Sequence, residues 1–181
     1  MPAMLKVTRT VGDRDVENDV LACWDGHHAV RLLKRDDRRH ARLLPRLGRS
    51  LADTVDPVTA MEVAGDLAVK LAVPAPDGLR RMSGYAEEIA AALVGASADR
   101  YGPLIESDIQ AAAATFQDSG ADQPDTVLQG DLQGSNVLRS SQGEWLVIDP
   151  LGMVGEPALE ALTMLRDRWA ELPSLPFPVG N

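Results

Sequence analysis

Three oxygen-bearing side chains, Asp131, Asn136 and Asp149, are spaced so that one loop and one hairpin could bring them together. Asp131 lies in the glycine-flanked stretch Gly130-Asp131-Leu132-Gln133-Gly134, and Asn136 follows closely. Two apolar runs, Val137-Leu138 and Trp145-Leu146-Val147-Ile148, flank the polar turn Ser140-Ser141-Gln142-Gly143, the pattern of a β-hairpin. In a hairpin the first residue of one strand lies near the last of the other, so Asn136 and Asp149 open side by side away from the turn. Convergent carboxylate and amide oxygens suit a hard cation such as Mg²⁺, which keeps waters and shares the phosphates of a substrate.

The order Asp-x₄-Asn, hairpin, Asp is also the layout of a kinase catalytic loop and its metal-binding aspartate. In that layout the first Asp accepts the proton of the substrate hydroxyl, while the Asn and the second Asp hold the metal ions. The competing reading makes the three residues polar caps of a surface turn.

The elements around this centre fall into two groups. Ala3-Met4-Leu5-Lys6-Val7 is a short strand-like run. Asp13 can cap a helix that runs to Trp24, with Gly26 as its stop. Ala29 to Leu33 and Ala41 to Leu44 read as strands separated by the charged turn Lys34 to Arg39, and Pro45 to Arg49 as an irregular connector. Helices follow. Asp56-Pro57 is an N-cap with proline at the first helical position, and Val58, Met61, Gly65, Ala68 and Ala72 form a stripe of small and apolar residues. After the break Val73-Pro74-Ala75-Pro76-Asp77-Gly78, helices are expected over Tyr85–Val94 and Leu104–Phe116, the latter with Ile105, Ile109, Ala112 and Phe116 on one face. A last helix spans Leu159 to Trp169. The fold class is α+β in two lobes.

Composition narrows the partners. The chain has 181 residues, 45% hydrophobic and 25% charged, as in soluble globular proteins. The net charge of −9 argues against a nucleic-acid partner and favours attraction of a cationic substrate. No apolar run has the ~20 residues needed to span a bilayer, and no basic-then-apolar leader opens the chain. The single cysteine, Cys23, excludes an intramolecular disulfide framework and fits the cytoplasm.

Leu128 to Leu138 resembles the His-Gly-Asp-Leu-His-x-Gly-Asn-Val-Leu signature of aminoglycoside phosphotransferases. Trp145 to Pro157 and Cys23-Trp24-Asp25-Gly26-His27-His28-Ala29-Val30-Arg31-Leu32-Leu33 are similar to segments of the streptomycin 6-kinase-like group, the aminoglycoside/hydroxyurea resistance kinases. Gly48-Arg49-Ser50-Leu51 and Val73-Pro74-Ala75-Pro76 also match. The resemblance implies a protein-kinase-like two-lobe fold, with ATP and Mg²⁺ as cofactors. It makes Asp131 the catalytic base and Asn136 and Asp149 the metal ligands. Lys6 matches the lysine that holds ATP phosphates, and Glu17 the helix glutamate that pairs with it. Pro45 and Leu47 fall on the hinge that reads adenine through the backbone, Pro45 by its carbonyl and Leu47 by its N–H.

Residue patterns agree in part. Glu17 leads the stripe Val20, Leu21 and Trp24, so it faces inward, where a carboxylate wants a cation. Alone, Glu17 also reads as an acid favoured near a helix N-terminus, and Lys6 as a solvated strand lysine. Gln129 and Gln133 stand where the resembled signature has histidines, and glutamine can hydrogen-bond but cannot carry a proton. His27, His28 and His40 are expected to face solvent.

Set against the family, the chain reads as truncated at both ends: a partial β-rich N-lobe over 1–48 and a partial helical C-lobe over 49–181. Leu162, Leu165, Trp169 and Leu172 are then expected to expose apolar surface and favour self-association. The function expected is phosphorylation of a hydroxyl on an aminoglycoside-type antibiotic such as streptomycin. The alternatives are an inactive, pseudokinase-like remnant and a kinase for another small alcohol.

Overall fold

The structure, a computed structural model, describes residues 2–8, 16–95, 106–120, 122–168 and 170–171. Asp13, Leu104, Ile105, Trp169, Leu172 and the Phe116 side chain lie outside the described residues.

An antiparallel sheet is built from β1 (Ala3–Val7), β2 (Lys34–Asp36) and β3 (Ala41–Pro45), in the order β1-β3-β2. The expected hairpin exists, but its first strand lies later than the apolar run Ala29–Leu33 suggests. That run carries the chain between two sheets instead: Val30 N–H donates to Val147 O and Leu33 N–H to Leu43 O. Helix α1 (Val16–Trp24) packs Val20, Leu21 and Trp24 into the core, the face read from the sequence. The buried Trp24 indole donates to Leu71 O at 3.0 Å and so ties α1 to the next helix.

That helix, α2 (Pro57–Leu71), starts at Asp56, whose side chain accepts from Val58 N–H and Thr59 N–H. Its buried face is Ala60, Ala64, Leu67 and Leu71, offset from the expected stripe. Met61, Gly65 and Ala68 line an apolar groove of about 320 Å³ against Leu132, Pro157 and Met164. Small residues mark this line because another helix passes close by, not because it is the most deeply buried one.

The remaining strands are short. β4 (Arg80–Arg81) and β5 (Val127–Leu128) flank β8 (Met153–Val154), while β6 (Val137–Arg139) and β7 (Trp145–Val147) form the expected hairpin, with Val137 opposite Val147. Helices α3 (Met82–Gly95) and α4 (Glu106–Gly120) pack on each other, burying Ala86, Ala90, Ile109 and Ala113. The last helix, α5 (Glu160–Asp167), packs on α2. One core runs from Val20 through Leu44, Leu51, Leu67 and Leu132 to Met164.

Candidate active site

Lys6 on β1 and Arg42 on β3 stand opposite each other across the strand pair. Two cations in that position repel unless an anion lies between them, and Glu17 supplies it. Its carboxylate takes Lys6 Nζ at 3.0 and 3.1 Å and also pairs with Arg42 Nη1. Arg42 is 1% exposed and is further held by Asn18 Oδ1 at 2.8 Å and Thr8 Oγ1 at 3.3 Å. Lys6 Nζ reaches forward as well, to Asp149 Oδ1 at 2.7 Å. The ion pairs therefore link Arg42, Glu17, Lys6 and Asp149. Arg42 was legible in part: it shares strand parity with the buried Leu44, so it points inward.

The loop after β5 carries the other groups. Gln129, 1% exposed, donates from Nε2 to Ile148 O at 3.0 Å and Asp149 O at 3.2 Å, while its Oε1 accepts from Asp131 N–H at 2.5 Å. One neutral amide thus braces the backbones of both aspartates, a task that needs hydrogen bonds and no proton transfer. Gly130 has φ +82°, and a Cβ there would meet Leu151 Cβ at 3.2 Å. A side chain at this point would be strained and would push Asp131 off the segment that carries Asp149. Asp149 itself is left-handed, with φ +53°, a conformation that Asp tolerates and that collects at functional sites.

Asn136 Nδ2 donates to Asp131 O at 2.9 Å and Oδ2 at 3.2 Å, and Gln133 Nε2 adds a bond to Oδ2 at 3.0 Å. Ile148 N–H donates to Asn136 O at 2.9 Å, which extends the hairpin register so that Asn136 opens beside Asp149. Lys6, Glu17, Asp131, Asn136 and Asp149 thus belong to one connected set. Among the histidines, His27 and His28 are exposed as expected, whereas His40 is half-buried in a left-handed turn with φ +47°.

Helix α5 adds three residues that the sequence reading treated only as part of an apolar helix. Glu160, 4% exposed, accepts from Gly130 N–H at 3.0 and 3.2 Å. Burial raises its carboxyl above the usual range, and the N–H groups of Gly130, Gln129 and Leu132 oppose that rise. Asp167 Oδ2 accepts from Gly134 N–H at 3.1 Å, and Arg166 Nη2 lies 3.3 Å from Asp131 Oδ1. A turn inside the loop takes its hydrogen bonds from this helix because its own N–H groups have no strand partner. The signal for Glu160 was its place four residues before the buried Met164, on one face. Leu162 on the same helix is 60% exposed, as expected, and Leu165 is half-buried.

The sequence matches the family described as aminoglycoside/hydroxyurea antibiotic resistance kinase over residues 1–177. The chain belongs to that family. It is 38% identical to a streptomycin 6-kinase of Streptomyces glaucescens over 159 residues, which cover 84% of this chain and 50% of that one. It is 35% identical to a hydroxyurea phosphotransferase of Kitasatospora aureofaciens, over 80% of this chain and 44% of the relative. The chain therefore spans about half the length of these curated relatives. Its fold is similar to the choline kinase LicA of Streptococcus pneumoniae, with TM-score 0.62, 13% identity and coverage of 91% of this chain and 61% of that one. The α+β, protein-kinase-like fold is thereby shown.

Within this resistance-kinase family the hinge candidates sit at the end of β3. Pro45 closes the strand opposite Ala3, and Leu47 packs half-buried on the core. The flanking N–H groups are committed, Arg46 to Pro2 O at 3.0 Å and Gly48 to Arg139 O at 2.7 Å. No group of three or more His, Cys, Asp and Glu side chains gathers as a metal site among the described residues. The oxygens offered by Asn136 and Asp149 fit magnesium nonetheless. Asn136 spends its Nδ2 on Asp131, which leaves Oδ1, and Asp149 presents a carboxylate held by Lys6. One amide and one carboxylate, completed by water and phosphate oxygens, are a donor set that Mg²⁺ accepts.

Proposed function

We propose that this chain carries the catalytic centre of an ATP-dependent small-molecule phosphotransferase, whose acceptor is a hydroxyl of an aminoglycoside-type antibiotic such as streptomycin. The observation that carries the reading is the contact set from Arg42 and Glu17 through Lys6 to Asp149, beside Asp131 and Asn136. Residues 1–48 form the nucleotide-side lobe in this reading and residues 49–181 the acceptor-side lobe. The Pro45 carbonyl and Leu47 N–H take the adenine edge.

Lys6, oriented by Glu17, neutralises phosphate charge. Asn136 Oδ1 and the Asp149 carboxylate would hold Mg²⁺, which supplies charge neutralisation at the phosphates. Asp131 orients the acceptor hydroxyl and takes its proton as the hydroxyl oxygen bonds to the γ-phosphorus. The bond from that phosphorus to the β–γ bridging oxygen breaks, and ADP leaves. Such proton transfer contributes ~10²–10⁴-fold. Gln133 and Asn136 hold one Asp131 oxygen and Arg166 touches the other, so the hydroxyl must share or displace the arginine contact. A net charge of −9 supports a cationic acceptor.

Hydroxyurea is a second acceptor, favoured by the 35% identical hydroxyurea phosphotransferase. The deciding assay follows labelled phosphate from ATP to streptomycin and to hydroxyurea, using the chain extended to the length of its relatives. Transfer that survives Asp131→Asn undiminished removes Asp131 as the base. Transfer to neither compound removes the antibiotic reading.

A further inference from the structure

At the hinge, Arg46, Arg49 and Arg139 share a shallow cavity of about 650 Å³ with Leu47, Thr54 and Ser141, and none of Lys6, Glu17, Asp131, Asn136 and Asp149 lines it. Backbone bonds set the three arginines around it. Arg46 N–H donates to Pro2 O at 3.0 Å, Gly48 N–H to Arg139 O at 2.7 Å, and Arg139 N–H to Arg49 O at 3.0 Å.

Among the described residues their guanidinium groups, like those of Arg31 and Arg38, take no carboxylate partner. Arg35, Arg39, Arg80, Arg81 and Arg168 each pair with a carboxylate. Arg49 instead donates from Nη2 to Asp53 O at 3.0 Å. Arg139 donates from Nε to Gly143 O at 3.0 Å and stacks on the Trp145 ring at 4.5 Å. Carbonyls and a ring fix the direction of these groups but do not cancel their charge. Among the described residues, none of the three arginines pairs with a carboxylate, in a chain with 27 acidic and 18 basic residues. Two oriented guanidinium groups and the exposed Arg46 in one cavity repel one another, and a polyvalent anion relieves that repulsion with forked hydrogen bonds.

We propose that this cavity is an anion site, separate from the Lys6–Asp149 cleft, for a small ligand carrying two or more phosphate groups. Arg139 and Arg49 grip one end of the ligand, and Arg46 on the hinge grips the other.

Inorganic pyrophosphate is the probe, titrated by calorimetry in EDTA and 50 mM salt, with Trp145 fluorescence recorded in parallel. Binding is expected, with a fluorescence change that disappears in Trp145→Phe. Arg46→Gln and Arg139→Gln should each weaken it about tenfold or more, the loss typical of a hydrogen bond to a charged group. Lys6→Met should leave it within about twofold. Orthophosphate should bind at least about tenfold more weakly. Arg46 is exposed, so Arg46→Gln keeps the fold and the test valid even if Arg139→Gln does not. Absence of pyrophosphate binding overturns the proposal. So does binding lost in Lys6→Met but kept in Arg46→Gln, which moves it to the cleft. Equal weakening by Arg31→Gln, a control away from the cavity, reduces it to diffuse charge attraction, and equal affinity for orthophosphate removes the two-phosphate class.

Discussion

The Glu160 carboxylate lies with its two oxygens 3.0 and 3.2 Å from the Gly130 N–H, although the two residues stand thirty positions apart in the chain. The contact joins helix α5 to the residue immediately before Asp131, so the position of the candidate base depends on a helix that follows the hairpin. It also puts a titratable group, 4% exposed, under the loop.

The pH dependence of stability should carry the mark of Glu160. Burial raises its folded carboxyl above the unfolded value, so the folded state binds the proton more strongly. The stabilising contribution is then full below the ordinary glutamate range and declines as pH rises through the folded value. Denaturant titrations of the wild type and Glu160→Gln should diverge in that window, with the wild type losing stability relative to the variant. Parallel curves across it would mean that the folded carboxyl titrates normally.

Gln129 tests bracing without proton transfer. Gln129→Leu keeps the volume but leaves the Asp131 N–H and the carbonyls of Ile148 and Asp149 without that partner, at a cost of about 1–3 kcal/mol. Urea denaturation measures it. Gln129→His should recover part of the loss, since imidazole can replace one of the bonds.

The Arg42–Glu17 pair is nearly dry on the arginine side. Arg42→Met should therefore destabilise, but by less than the about 3–5 kcal/mol of an uncompensated buried charge, because Lys6 still pairs with Glu17. Glu17→Gln in the same background should restore part of that. A double-mutant cycle in denaturant gives the coupling, and simple additivity would show that the two side chains act independently.

Arg166 separates stability from function. Its side chain is 72% exposed, so Arg166→Gln should change stability by less than about 1 kcal/mol. If the hydroxyl of a cationic acceptor must displace this guanidinium from Asp131, the same variant should lower KM for the acceptor severalfold and leave KM for ATP unchanged. Steady-state kinetics with both substrates varied decides it, and an unchanged acceptor KM removes the competition.

Much of the centre was legible in the sequence because its geometry is local. Asp131, Asn136 and Asp149 are joined by a short loop and a hairpin, and alternation along two apolar strands sets that register without help from the rest of the chain. The inward face of α1 followed in the same way from helical spacing, which placed Glu17 with Val20, Leu21 and Trp24. Local patterns failed where a neighbour chose the outcome. The run Ala29–Leu33 reads as a strand but serves as a crossing between two sheets, and the buried line of α2 is set by where α5 and the β-strands approach it. Only the tertiary structure decided that Arg42 shares Glu17 with Lys6, that Glu160 and Asp167 hold the loop, and that Arg166 touches Asp131. Each is a contact across long sequence separation between a charged group and a backbone or side chain that no periodicity relates to it. Where the charge is buried, as for Arg42 and Glu160, leaving it unpaired is costly, so burial selects the partner that packing brings within reach.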